Sequence, residues 1–147
     1  MPTYFVAAAA GRLPAAEKHS IASAITRIHG DVTDAPTFFA QVIFDEIPTG
    51  NHFMGGAPAD SDAVFVYGHV RAGRSSEQKR QLLVRIVDAV SAATRIPKKS
   101  IWAYVVDLPP TQMIEYGHIL PEPGMEGVWL ASLPEEDRVH IERVGKE

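Results

Sequence analysis

The segment PTFFAQVIFDEIP (36–48) falls on PKKSIWAYVVDLP (97–109) when the chain is slid along itself by 61 residues without a gap. Pro36 then meets Pro97, Glu46 meets Asp107, Ile47 meets Leu108 and Pro48 meets Pro109, while upstream Lys18 meets Lys79, Ile21 meets Leu82 and Ile25 meets Ile86. Self-similarity at a fixed period limits the architecture before any local reading, because each unit must be one supersecondary element that its neighbour completes. A chain of 147 residues has room for one domain with a real core. We therefore expect a single domain over 1–147, with repeat halves at about 2–60 and 63–120 and a C-terminal tail at 121–147.

Each half reads as strand, helix, strand. Thr3–Ala8 and Ala63–Val70 are short runs rich in β-branched and aromatic residues. The first helix is expected from about Pro14, a good first-turn residue, to Gly30, a good stop, with Ile21, Ala24, Ile25 and Ile28 on its apolar face. The second begins at Ser75 or Ser76, where Ser75-x-x-Gln78 has the capping-box pattern, and buries Leu82, Leu83, Ile86, Val87 and Val90. A helix joining two strands in a unit of this size favours a parallel pair through a right-handed crossover. The expected fold is mixed α/β (α+β): two β-α-β units per chain forming a four-stranded sheet with two helices on one face. The other face would be left bare and apolar, and self-association is the economical way to cover it. The tail carries Pro, Gly and a short helical stretch at Pro134–Val144, expected to pack over the sheet or on a neighbour.

Composition removes several classes of function. A net charge of −4 without a basic patch argues against nucleic-acid binding. The absence of cysteine excludes disulfides and thiolate chemistry. No segment reads as a signal peptide or a membrane span, so no membrane partner is expected and the cytoplasm is the expected compartment. His19, His29, His52, His69, His118 and His140 show no paired metal-ligand spacing, so no metal site is expected. Serine-hydrolase and phosphate-loop patterns are absent too.

Six residues carry chemical potential. Pro2 becomes a secondary amine titrating near neutrality if Met1 is removed. Arg71 and Arg74, at a strand-to-helix turn, form either a carboxylate clamp or two solvated surface cations. His29, near the end of the first helix, is either a ligand group or a charged helix cap. Tyr104 shares a strand face with Trp102 and Val106, and its alternative is a core tyrosine with a satisfied hydroxyl. Glu115, after a Pro-rich loop, is either a base or a solvated charge.

The start MPTYFV, the turn RAGRS, and the stretches IWAYVVDLPPTQMIEYG and LPEPGMEGVW together resemble the cis-3-chloroacrylic acid dehalogenase family, a branch of the tautomerase superfamily. The similarity runs along nearly the whole chain. It implies two β-α-β units per subunit, a homotrimer, a small carboxylate substrate and no cofactor. It also implies that Pro2, behind a removable Met1, is the central catalytic group. By the same resemblance His29, Arg71 and Arg74 bind the substrate carboxylate, and Tyr104 and Glu115 activate water.

The implied chemistry is enol–keto tautomerisation together with hydration or dehalogenation of cis-3-haloacrylates. Burial and two nearby arginines lower the Pro2 pKa, making it a base, whereas Glu115 raises it, making it an acid. Alternatives are a dedicated dehalogenase giving malonate semialdehyde, an enzyme like malonate semialdehyde decarboxylase, and a non-enzymatic ligand-binding trimer. VTDAPTFF (32–39) departs from the dehalogenase loop, which has threonine, glycine and glutamine character. That departure implies tautomerisation faster than dehalogenation.

Overall fold

The structure, a computed structural model, describes residues 2–36 and 40–144. Its first unit is β1 (Thr3–Ala9), α1 (Ala15–Thr33) and β2 (Gln41–Ile47), followed by a hairpin of β3 (Phe53–Met54) and β4 (Ala57–Pro58). The second unit is β5 (Val64–Arg71), α2 (Ser76–Thr94) and β6 (Ile101–Leu108), followed by a hairpin of β7 (Ile114–Glu115) and β8 (His118–Ile119). Shifting the first unit by 61 residues superposes the bounds of α1 on α2, β3 on β7 and β4 on β8. The repeat is therefore structural. Even the helix-to-strand ion pair is duplicated: Lys18 Nζ meets Glu46 Oε1 at 2.8 Å, and Lys79 Nζ meets Asp107 Oδ2 at 2.7 Å.

The four long strands form one sheet in the order β2-β1-β5-β6. Each unit pairs its own strands in parallel, and the units join through antiparallel β1 and β5, with Thr3 opposite His69 and Val6 opposite Val66. Alternation along the strands then sorts the side chains. Tyr4, Val6, Ala8, Val64, Val66 and Val70 are buried with Ile21, Ile25 and Ile28 of α1 and Leu82, Ile86 and Val90 of α2. The opposite face carries Phe5, Phe65, Tyr67, His69, Trp102, Tyr104 and Val106. Within one chain Trp102 and Tyr104 are 46% and 51% exposed, so this face is as bare as expected.

Local chemistry fixes the element ends. Ser75 accepts from the Gln78 amide, and the Gln78 side chain accepts from the Ser75 amide, closing the capping box. α1 runs past Gly30, the expected stop, to Thr33. Val32 and Thr33 are buried, and that packing outweighs the poor helix propensity of one glycine. Asp34 closes the helix instead, in the left-handed region at φ 56, with its N–H on the Gly30 carbonyl. The stretch expected to be a loop at 32–39 thus starts inside a helix, and its residues 37–39 lie outside the described residues. Leu83 and Val87 are half-buried rather than core. The tail holds two helices, α3 (Glu126–Ser132) and α4 (Glu135–Arg143), where one was expected.

Candidate active site

β1 delivers Pro2 to one end of the sheet. Pro2 is buried, and its carbonyl accepts from the Gln41 amide at 3.0 Å, so β2 holds the residue in place through its backbone. Continuing the antiparallel register beyond Thr3 and His69 sets Pro2 beside Val70, one residue before Arg71.

Behind this strand end stands a buried polar pair. Tyr4 points to the helix side, and its hydroxyl lies 2.9 Å from Nδ1 of His29. Both side chains are almost wholly enclosed. Burial, reinforced by the charge of Arg74, lowers the His29 pKa to about 3, so the imidazole is neutral at physiological pH. Burial raises the Tyr4 phenol above its ordinary value, only partly opposed by Arg74. His29 is therefore not the charged helix cap that the sequence allowed. When the Tyr4 hydroxyl donates to Nδ1, Nε2 carries the imidazole proton and becomes a neutral donor. The Tyr4 ring fits because position 68 is glycine: a Cβ there would lie 2.5 Å from Tyr4 Cε1.

The two arginines differ in setting. Arg71, the last residue of β5, is 5% exposed, which excludes the solvated alternative. Its Nη1 donates to the Pro121 carbonyl at 2.7 Å, and its Nη2 pairs with the Glu126 carboxylate at the start of α3. Arg71 Nε is buried and has no hydrogen-bond partner among the described residues. Arg74 is half-buried and donates from Nη1 to the Thr33 carbonyl at 3.1 Å, tying the α2 entry to the end of α1. Burial and then the like charge of Arg71 lower its pKa, and Glu126 and Asp34 oppose them.

Glu115 sits on β7, opposite His118, in a groove with Thr3, Gln41, Leu108 and Met113. It is half-buried, and burial raises its carboxyl pKa above the usual range, opposed in part by Arg71. The solvated alternative fails for this residue too. Leu108, beside Arg71 in the β5–β6 register, lines the same groove, so Glu115 and Arg71 flank one end of the sheet.

Tyr104 stands apart. It lies four residues before Leu108 on β6, about 13 Å along a strand. Its ring packs edge-on against Phe65 at 5.1 Å, in a second groove with Trp102, His52 and Phe53. It is not the core tyrosine of the alternative reading. Within one chain it does not join the cluster at the Pro2 end. Glu126 and Tyr4, in contrast, belong to that cluster and were not singled out in the sequence.

The family described as "Putative oxalocrotonate tautomerase enzyme" matches residues 1–132. The crystal structure of N1, a member of the cis-3-chloroacrylic acid dehalogenase family, is 34% identical with a TM-score of 0.92, covering 95% of this chain and 98% of its own. The chain belongs to the tautomerase superfamily, in its cis-3-chloroacrylic acid dehalogenase branch. A second tautomerase-fold structure, native Ps01740, is 30% identical with a TM-score of 0.73, covering 77% of this chain and 99% of its own. A fused 4-OT asymmetric trimer, 24% identical over 80% of this chain and 94% of its own with a TM-score of 0.73, shares the fold. No curated protein matches the chain. As a tautomerase-superfamily member the chain has the expected two-unit architecture, and among its described residues no helix is long and apolar enough to cross a membrane.

Proposed function

We propose that this protein is a cofactor-independent enzyme that uses the freed amine of Pro2 on small unsaturated or 2-oxo monocarboxylates. The observation that carries this reading is the convergence of buried Pro2, the neutral Tyr4–His29 pair, Arg71, Arg74 and half-buried Glu115 at one end of the sheet. Removal of Met1 converts the Pro2 nitrogen from a non-basic amide to a secondary amine. Arg74 and the remaining donors of Arg71 then anchor the substrate carboxylate, and His29 Nε2–H adds a neutral donor.

For an enol of a 2-oxo acid, Pro2 moves a proton from the enol oxygen to the neighbouring carbon. For a cis-3-haloacrylate, Glu115 takes a proton from water as its oxygen bonds to C3. The anchored carboxylate draws the electron pair of the C=C bond toward C2, and the Pro2 ammonium delivers a proton there. The resulting halohydrin expels halide and a proton to give malonate semialdehyde.

Tyr104 acts in this reading from a neighbouring copy. Its face is bare within one chain, and a homotrimer that covers that face brings it to another subunit's site. Tautomerisation needs only a proton shuttle, whereas dehalogenation also needs an ordered water and room for the halide. Tautomerisation is therefore the faster activity.

The test is turnover of enol phenylpyruvate and cis-3-chloroacrylate, followed by absorbance and NMR, in the wild type, Arg74→Ala and Glu115→Gln. Arg74→Ala depresses both reactions. Glu115→Gln depresses dehalogenation at least tenfold more than tautomerisation. Equal losses in Glu115→Gln would remove Glu115 from water activation, and undiminished turnover in Arg74→Ala would remove the clamp.

A further inference from the structure

The LPEPGMEGVW segment does more than cap the sheet. Pro123 packs on Gly73 so closely that a Cβ at Gly73 would lie 2.8 Å from Pro123 Cγ. Trp129 Nε1 donates to the Ile119 carbonyl at 2.9 Å. Between these anchors, the Pro121 carbonyl and the Glu126 carboxylate take the two terminal nitrogens of Arg71. The segment is built around that guanidinium.

This arrangement has two consequences. A free arginine offers a carboxylate five N–H donors in a fork, but here Glu126 takes one on Nη2 and Pro121 takes one on Nη1, leaving three, among them the buried Nε that has no partner among the described residues. Arg71 is fixed in one orientation, so the donors left to it point in fixed directions. The cluster's charge is also reduced. Arg71 and Arg74 contribute two positive charges, and Glu126 removes one, so the clamp carries about one net positive charge before Glu115 is counted. A single carboxylate matches that charge. A second carboxylate on the same small ligand would meet the negative charges of Glu126 and Glu115, with the Pro2 ammonium, already offset by Glu115, as the one further cation among the described residues of the cluster.

We propose that Glu126 is a positioning and specificity-determining residue, which holds Arg71 and sets the clamp for monocarboxylates against dicarboxylates. This deepens the functional reading above and rests on its carboxylate site. The Glu126 carboxylate stays on Nη2, and the substrate carboxylate pairs with Arg74 and the donors left to Arg71.

The probes are propanoate and malonate, whose binding at pH 7 and fixed ionic strength is measured by calorimetry or by competition against turnover. The wild type binds propanoate at least threefold more tightly than malonate. Glu126→Gln narrows or reverses that ratio by more than threefold, chiefly by tightening malonate, and Glu126→Asp keeps the wild-type preference. A ratio that changes less than threefold in Glu126→Gln overturns the proposal. So does a wild type that binds malonate as tightly as propanoate, which settles the matter even if Glu126→Gln does not fold. Arg74→Ala separates the two levels. If it binds both acids as well as the wild type, or the wild type binds neither, the carboxylate site itself is wrong. If it abolishes binding while Glu126→Gln leaves the ratio unmoved, only the role of Glu126 fails.

Discussion

The Tyr4 hydroxyl stands 2.9 Å from Nδ1 of His29 in the interior, bringing a neutral imidazole from α1 against the second residue of the β1 strand. Because burial lowers the His29 pKa to about 3, the folded chain leaves unprotonated a group that the unfolded chain protonates below about 6.5. The unfolded state thus binds more protons between those values. His29 contributes stability that is present above about pH 6.5 and is lost as the pH falls toward 3, at up to about 1.4 kcal/mol per pH unit. His29→Gln, followed by urea unfolding at several pH values, should flatten that acid slope by about one proton per chain. An unchanged slope would mean that His29 is solvated.

Gly68 is the other side of the same fit. Gly68→Ala would drive a methyl into the Tyr4 ring and should cost about 1–3 kcal/mol. In a Tyr4→Ala background the same change should cost much less, a coupling that a double-mutant cycle in urea measures directly. Equal costs in both backgrounds would deny the contact.

Much of this geometry was legible in the chain. The 61-residue repeat located both β-α-β units, the capping box fixed the start of α2, and alternation in IWAYVVDL assigned Trp102, Tyr104 and Val106 to one face. The hairpins were missed because each strand has only two residues and buries too little to show a period. Their turns did carry a signal: Gly55-Gly56 and Tyr116-Gly117 have φ of 59 and 82, and 53 and 84, as two-residue hairpin loops require. The Gly30 stop failed because burial of Val32 and Thr33 is a tertiary fact. Glu126 was invisible for a similar reason, since only folding brings it to Arg71 from 55 residues away.

Glu115 gives the proposed water chemistry an acid limb. Burial raises its carboxyl pKa, so the base form required for hydration is lost at a higher pH than for an ordinary carboxylate. Dehalogenation should fall as the pH is lowered, with a titration that Glu115→Gln abolishes. A limb that survives in Glu115→Gln would belong to another group.

The exposed ridge of Trp102, Tyr104 and Val106 calls for a partner surface, which the proposed homotrimer supplies. In sedimentation the wild type should run as about three chains. Trp102→Glu should dissociate it and abolish dehalogenation together, as expected if each site borrows Tyr104 from a neighbour. A fully active monomer would contradict the borrowed tyrosine.

Everything proposed about the chemistry returns to the amine of Pro2. The direct measurement is ketonisation of enol phenylpyruvate by protein whose N-terminus has been defined by mass spectrometry, comparing chains that begin at Pro2 with chains that retain Met1. The rate should be proportional to the fraction of chains beginning at Pro2. Equal turnover by chains that retain Met1 would contradict it.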